Sequence, residues 1–363
     1  MKDWIEHLAV YEPGKPIEEV ARELGFDHVA DIIKVASNEN EFGPSSKAKE
    51  AMLEAVNEMH RYPDGGTFYL KEKLARSLNI DPSQLIFGNG SNELIVFLAH
   101  LFLEPGRALV MSEYAFAVYA LATHLYQGEL IRVPMKAYTH DLENIRKAIT
   151  KNTQIVVIVN PNNPTGTAVN PHELREFILS LPEDVLAVVD EAYYEVMPQE
   201  LRADLISLIR EGIQNLIILR TFSKGYGLAG LRIGYGIGPA SLITQLNRVR
   251  QPFNVNAMAQ AAAMAALDDQ QHIENTALGS QQGLNQLAKG LHELGISSIP
   301  SAANFLLARV GDGKKYVREL EQRKVIVRPM NGYGLSEFIR ISVGTEKQNR
   351  YVLEQMKAID PKV

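Results

Sequence analysis

From about Leu85 onward, short runs rich in β-branched residues alternate with amphipathic stretches: LIFGNGSNELIVFLAHLF, RALVMSEYAFAVYALATHLY, ELIRVPM, ENIRKAI, QIVVIVNPNNPTG, HELREFILSL, DVLAVVDEAYYEV and NLIILRTFSKGYG. Strand-helix alternation of this kind predicts an α/β fold, a mostly parallel sheet with helices on both faces. Sheets so built bind ligands beyond the carboxyl ends of their strands. Five of these strands end in polar or turn-forming residues: GNGSNE after LIF, SEYAF after ALVM, NPNNPTG after IVVIV, DEAYY after VLAVV, and TFSK after LIIL. Reactive groups are therefore expected along one rim.

After NVNAMAQAAAMAALDD the pattern changes to a long helical stretch ending near Leu294, followed by NFLLARV, a helix, KVIVRPM, FIRISVG and a last helix. A chain of 363 residues exceeds what one hydrophobic core serves well, and the expected division is a large α/β domain (41–267) and a small α+β domain (268–363). The N-terminal segment (1–40), with its Pro/Gly-punctuated YEPGKPIEEVAREL, is expected to pack with the small domain. Its first residues, MKDWIEHLAV, carry acids and lack the apolar stretch of a secretory signal, and the near-apolar AQAAAMAAL is too short for a bilayer. No membrane partner and a cytoplasmic location are expected. The net charge of -6, with no Lys/Arg run interleaved with aromatics, argues against nucleic acid. The absence of cysteine removes thiolate nucleophiles and Cys-ligated zinc, and the nine histidines form no H-x-x-x-H pair, so no metal is expected.

Within RTFSKGYGLAGLRIGYGIG, Gly225, Gly227 and Gly230 match the G-x-G-x-x-G spacing of a dinucleotide loop. Such a loop needs an acidic residue about 20 positions on, to hold ribose hydroxyls. No Asp or Glu occurs between Leu231 and Leu267. Read from Lys224 instead, the stretch makes chemical sense: the lysine follows a strand, and the small residues around it are expected to leave room for a planar group. Desolvation lowers a lysine's proton affinity and makes its amine nucleophilic toward a carbonyl. Pyridoxal phosphate (PLP) would need, besides the lysine, a carboxylate at its ring nitrogen, a phosphate site, partners for its phenolate oxygen and cover for its ring.

Candidates for each stand at strand ends. Asp190 closes VLAVV and suits a pyridinium, although a helix N-cap or solvated turn explains VVDEAY equally well. Gly90, Ser91 and Asn92 fall where a helix begins, and free N–H groups at a helix start suit a phosphate, as they also suit a well-capped helix. Ser223 and Arg232 flank Lys224 and add a hydroxyl and a guanidinium for the same phosphate. Asn163 in NPNNPTG and Tyr193 in DEAYY can donate to the phenolate. Asn254 and Asn256 read equally as helix caps, and Phe253, Tyr226 and Tyr235 as packing residues.

The combination of SNENEFGPS, RYPDG, GNGSNE, NPNNPTG, DEAYYEV, RTFSKGYGLAGLRIGY, RQPFNVN and FIRISVGT resembles the fold-type I PLP-dependent aminotransferases, and within them the histidinol-phosphate branch, over nearly the whole chain. The resemblance implies that Lys224 links covalently to PLP and then serves as base and acid of a 1,3-proton shift. It implies Asp190 at the pyridinium, Asn163 and Tyr193 at the phenolate, Tyr114 stacked on the ring, and Ser91, Asn92, Ser223 and Arg232 at the phosphate. Tyr62 would reach the cofactor phosphate of a neighbouring subunit, making a homodimer the catalytic unit. Arg340, helped by Arg328, would bind a substrate carboxylate or phosphate, with Tyr11 and Asn38 closing over it. Asn92 stands where many relatives have Asp, and Gly225 where Ala is common. The implied reaction is amino transfer between L-histidinol phosphate and 2-oxoglutarate, giving imidazole acetol phosphate and glutamate, a step of histidine biosynthesis. Aromatic amino acid transamination, decarboxylation of an O-phospho amino acid and a non-catalytic PLP-binding regulator remain as alternatives. A cis Asn163–Pro164 bond is also expected from the resemblance.

Overall fold

The computed structural model describes residues 3–10 and 14–359. A two-residue strand near the amino end, β1 (Ile33–Lys34), precedes a seven-stranded sheet. That sheet comprises β2 (Leu85–Gly88), β3 (Ala108–Ser112), β4 (Glu129–Val133), β5 (Thr153–Val159), β6 (Leu186–Asp190), β7 (Leu216–Thr221) and β8 (Gly234–Ile237), in the order β2-β8-β7-β6-β5-β3-β4. Only β8 runs against the others, pairing antiparallel with both β2 and β7. The central strands are apolar at successive positions because both faces are covered. Val156 and Ile158 of β5, Ala187 and Val189 of β6, and Leu216 and Ile218 of β7 enter one core. Their neighbours Ile155, Val157, Leu186, Val188, Ile217 and Leu219 enter the other. This period of two follows from the pleat.

Helix Ser91–Phe102 buries Leu94, Ile95, Leu98 and Ala99 in the second core. Helix Ala257–Ala266 belongs to the first and places Ala259, Ala262, Ala263 and Ala266 on one buried stripe, at the spacing of a single helix face. Its cap is Asn256, whose side chain accepts from the Ala259 N–H at 2.8 Å. Among the described residues no helix is long and apolar enough to cross a membrane.

Beyond the long helix Gln270–Glu293 come β9 (Ser298–Ile299), β10 (Phe305–Arg309), β11 (Val325–Ile326), β12 (Arg328–Pro329) and β13 (Phe338–Ser342). Four of these form an antiparallel sheet in the order β12-β13-β10-β9, while β11 pairs in parallel with β1. The amino-terminal segment is thereby tied to the carboxy-terminal part, and Val20, Ala21, Ile32 and Ala36 share a core with Ile326. The register of β12 on β13 sets Arg328 opposite Arg340. Directly opposed residues of an antiparallel pair project to the same face, so two cations are delivered to one side.

Candidate active site

A cavity of about 650 Å³ lies at the carboxyl ends of the parallel strands and is closed from the far side by the small sheet and the segment around Asn38. Its lining includes Ser91, Asn92, Phe116, Asn163, Asp190 and Tyr193 from the large sheet's rim, and Ser223, Lys224, Arg232, Arg328, Arg340 and Asn38 around them.

Lys224 follows β7, and its Nζ donates to the Ser37 carbonyl at 3.0 Å. Burial of the amine, with the Arg340 charge adding to it and Glu39 opposing, pulls its pKa down to about 7. A large share of the amine is thus unprotonated near neutral pH, where an ordinary lysine is almost wholly charged. Asp190, last residue of β6, is buried; its Oδ2 accepts from Tyr119 Oη at 2.9 Å and its Oδ1 from the Ala192 N–H at 3.1 Å. Burial raises this carboxyl to about 6, with the two hydrogen bonds working against the rise. Asp190 therefore caps no helix; it presents a carboxyl to the cavity.

Tyr193 is buried, accepts from Asn38 Nδ2 at 2.9 Å and packs edge-on against Phe305. Burial pushes its hydroxyl up to about 12, so it stays protonated and able to donate. Asn163 follows β5 in a loop with two cis bonds, the expected Asn163–Pro164 and also Asn160–Pro161. Its Oδ1 accepts from Arg340 Nη1 at 2.6 Å, which leaves the amide nitrogen as the donor of a residue that lines the cavity. Arg340 Nη2 donates to the Ala36 carbonyl at 2.8 Å, so this arginine joins the rim, the small sheet and the amino-terminal segment.

The helix Ser91–Phe102 begins after Gly90, which gives it no side-chain cap; the Glu93 N–H is held by the Gly90 carbonyl at 3.3 Å, and Ser91 and Asn92, whose N–H groups come first, line the cavity. Arg232 lies beside this helix start, and its Nη1 contacts Ser223 Oγ at 3.4 Å. A side chain at Gly90 would place Cβ 2.6 Å from Arg232 Nη2, and one at Gly234 would collide with the Ser91 nitrogen. The two glycines keep open a cradle of backbone donors, a hydroxyl and a guanidinium, which is the donor set for a phosphate dianion. A planar, phosphorylated pyridine aldehyde fits these residues: cradle for its phosphate, buried carboxyl for its nitrogen, amine for its carbonyl.

The glycines of G-x-G-x-x-G serve another purpose than the expected room for a planar group. A Cβ at Gly225 would collide with Glu195 Cβ, and Gly227, at φ 71, would meet the Gly43 carbonyl oxygen at 2.5 Å, while Gly230 has open space around it. Two of the three permit close protein packing behind Lys224.

The remaining expected residues are placed variously. Tyr114 does not line the cavity; it sits in a cluster with Tyr138 and Phe338, and from the same turn Phe116 faces the cavity instead. The physical reason is tertiary: between the end of β3 at Ser112 and helix Ala117–Leu125, Tyr114 is drawn into packing with Tyr138, at 6.4 Å between ring centroids, which leaves Phe116 at the cavity. Tyr62 lies outside, 83% exposed and stacked on Phe253 with centroids 4.8 Å apart, so Phe253 is a surface residue and not core packing. Tyr226 and Tyr235 are buried in the first core. Asn38 adopts φ 54 and is locked by Ser342, whose Oγ accepts from its N–H at 2.8 Å. Tyr11 lies outside the described residues. Sequence reasoning missed Phe116, Tyr119 and Lys34; the last lines the cavity and pairs with Glu39 at 2.9 Å. Aromatics at the start of a helix read as core, and no local signal separates Phe116 from Tyr114.

A rim lysine facing a buried carboxyl, beside a phosphate cradle on a mostly parallel seven-stranded sheet, defines a fold-type I transferase. The sequence profile of the family described as aminotransferase class I and II matches residues 30–356, and the chain belongs to that family. Histidinol-phosphate aminotransferase 1 of Thiobacillus denitrificans is 48% identical over 97% of this chain and 91% of that protein. The histidinol-phosphate aminotransferase of Akkermansia muciniphila is 44% identical over 97% and 96%. The crystal structure of histidinol-phosphate aminotransferase from Sinorhizobium meliloti in complex with pyridoxal-5'-phosphate superposes with a TM-score of 0.89 at 28% identity, covering 99% of this chain and 98% of that one.

Proposed function

We propose that this chain is a cytoplasmic, PLP-dependent transaminase that exchanges an amino group between L-histidinol phosphate and 2-oxoglutarate in histidine biosynthesis. The observation that carries the reading is near full-length similarity, at 48% identity, to a histidinol-phosphate aminotransferase, combined with a complete lysine, carboxyl and phosphate-cradle set in one cavity. PLP, when bound, supplies an electron sink for the negative charge that develops at the substrate's α-carbon. The chain's own residues do the rest. Asp190 holds a proton on the ring nitrogen by presenting a carboxylate to it. Tyr193 Oη and Asn163 Nδ2 donate to the phenolate oxygen, while Phe116 covers a ring face. Lys224 Nζ, in its unprotonated form, would take the proton from the substrate's α-carbon and deliver it across the amino nitrogen, to the carbon that was the cofactor's carbonyl. Arg328 and Arg340 bind the anionic end of the substrate: a carboxylate for glutamate, a phosphate for histidinol phosphate. One cation pair thus serves both halves of a ping-pong cycle.

The test is a substrate panel. Purified protein supplied with PLP and 2-oxoglutarate is expected to form glutamate from L-histidinol phosphate far faster than from phenylalanine or tyrosine. A preference for the aromatic amino acids keeps the chemistry and overturns the substrate. Release of CO2 from an O-phospho amino acid, or no turnover of any donor, overturns the transaminase reading.

A homodimer supports the same reading. Met59 (67%), Tyr62 (83%), Phe68 (58%) and Tyr69 (72%) are large apolar or aromatic side chains exposed on one chain, with Phe253 stacked against Tyr62. Large exposed side chains of this kind support an interface there. A second copy is the proposed occupant, with Tyr62 reaching the phosphate cradle of the partner subunit. Light scattering is expected to give twice the 40.4 kDa of one chain. Phe68→Glu with Tyr69→Glu is expected to yield folded monomers with little activity; full activity as a monomer would remove Tyr62 from the site.

A further inference from the structure

Tyr119 lies inside helix Ala117–Leu125, is buried, and donates its hydroxyl to Asp190 Oδ2 at 2.9 Å. Asp190 Oδ1 accepts the backbone N–H of Ala192, at 3.1 Å. Among the described residues, Tyr119 is therefore the one side chain that hydrogen-bonds this carboxyl. We propose that Tyr119 is a positioning residue for the cofactor's ring nitrogen: its hydroxyl fixes the plane of the Asp190 carboxyl and keeps that carboxyl an anion.

A carboxyl ending a strand has rotational freedom about its last bond, and two donors on its two oxygens remove it. Each oxygen keeps one further lone-pair direction, on a residue that lines the cavity. The electrostatics agree. Burial drives Asp190 toward its neutral form, with the Tyr119 bond as the largest opposing influence and the Ala192 N–H second. The other titratable groups facing Asp190 are Glu191, next in the chain, which disfavours its charge, Tyr193 on the following turn, and Lys224 across the cavity. None of these supplies a donor to Oδ2. Without the Tyr119 hydroxyl, Asp190 would hold its own proton to higher pH. A neutral carboxyl can lend a hydrogen bond to a pyridine nitrogen, but it does not stabilise a positive one.

The inference rests on Asp190 meeting the ring nitrogen, so its test includes that residue. Apoprotein of the full chain is titrated with PLP, followed by visible absorbance across a pH series, for wild type, Tyr119→Phe and Asp190→Asn. Phenylalanine keeps the ring and its packing, and thermal denaturation of each apoprotein checks the fold. The Tyr119→Phe protein is expected to bind PLP roughly tenfold more weakly near neutral pH, the scale of a hydrogen bond to a charged group. The pH below which affinity falls is expected to move upward relative to wild type, because the unsupported carboxyl protonates earlier. An equal loss at every pH, with no displaced midpoint, would mean that the hydroxyl only packs, and would overturn the proposal. Wild-type affinity in Tyr119→Phe alongside weakened Asp190→Asn would overturn it too while leaving Asp190 in place. Wild-type affinity in Asp190→Asn would overturn the Asp190 assignment and the inference together.

Discussion

Replacing Lys224 by alanine is expected to lower transamination by about 10⁴-fold or more, the upper range of what a positioned acid-base group contributes. The amine belongs to a residue that lines the cavity, has a pKa of about 7, and in the proposed function would both join the cofactor carbonyl and move the proton. Single-turnover absorbance with each substrate measures the effect. A variant that retains a tenth of the wild-type rate would show that another base serves the proton shift. The same lysine makes a second, independent statement about stability. In the unfolded chain its pKa returns to about 10.5, so between that value and about 7 the unfolded state binds more protons than the native one. Wild-type apoprotein stability therefore gains from this group as pH rises through that window, and a full penalty is present at and below pH 7. Lys224→Met keeps most of the stem and removes the charge. Its apoprotein is expected to be more stable than wild type near neutral pH, by at most a few kcal/mol, since a tenfold change in proton affinity is worth about 1.4 kcal/mol. The difference is expected to close toward pH 10.5. Denaturant midpoints at a series of pH values decide it; a constant difference would place the amine in solvent.

Arg340→Met is expected to cost about 10²-fold in kcat/KM with glutamate, equivalent to about 3 kcal/mol, the size of a hydrogen-bonded charge lost from a buried site. Arg340 has two parts in the proposed reaction. It would offer a cation to the substrate, and it holds Asn163 Oδ1 at 2.6 Å and the Ala36 carbonyl at 2.8 Å, with its guanidinium 5.3 Å from the Phe305 ring centroid. Methionine leaves both oxygens without this donor, and Asn163 is then free to turn its amide away from the phenolate. The expected signature is a raised KM from the lost anion site together with a lowered kcat from the misplaced amide. Lysine should restore only part of the loss, because one ammonium cannot reproduce a planar fork with several fixed donors. Stopped-flow measurement of the two half-reactions separates the contributions. Unchanged kinetics with both glutamate and histidinol phosphate would move the anion site to Arg328 alone.

Much of the fold and site is legible in the sequence alone. Strand-helix alternation, the five polar strand ends and the lysine after LIILRTFS are local features, and the large sheet, its rim and Lys224 follow from them. Asp190, Asn163 and Tyr193 are legible for the same reason, since each closes or closely follows an apolar strand whose direction sets where its end lies. Asn256 declares itself as a cap because capping involves the next three residues alone. Features that depend on two distant segments meeting are not legible. The pairing of Arg328 with Arg340 depends on the register of β12 on β13, and the service of Gly225 and Gly227 depends on Glu195 and Gly43 arriving behind the lysine loop. The exchange of Tyr114 for Phe116 at the cavity, and the bond from Tyr119 to Asp190 across 71 residues of sequence, are of the same kind. Periodicity and capping act over a few residues and leave their mark in sequence, whereas a side chain's aim into a cavity is settled by the packing of elements that share no sequence neighbourhood.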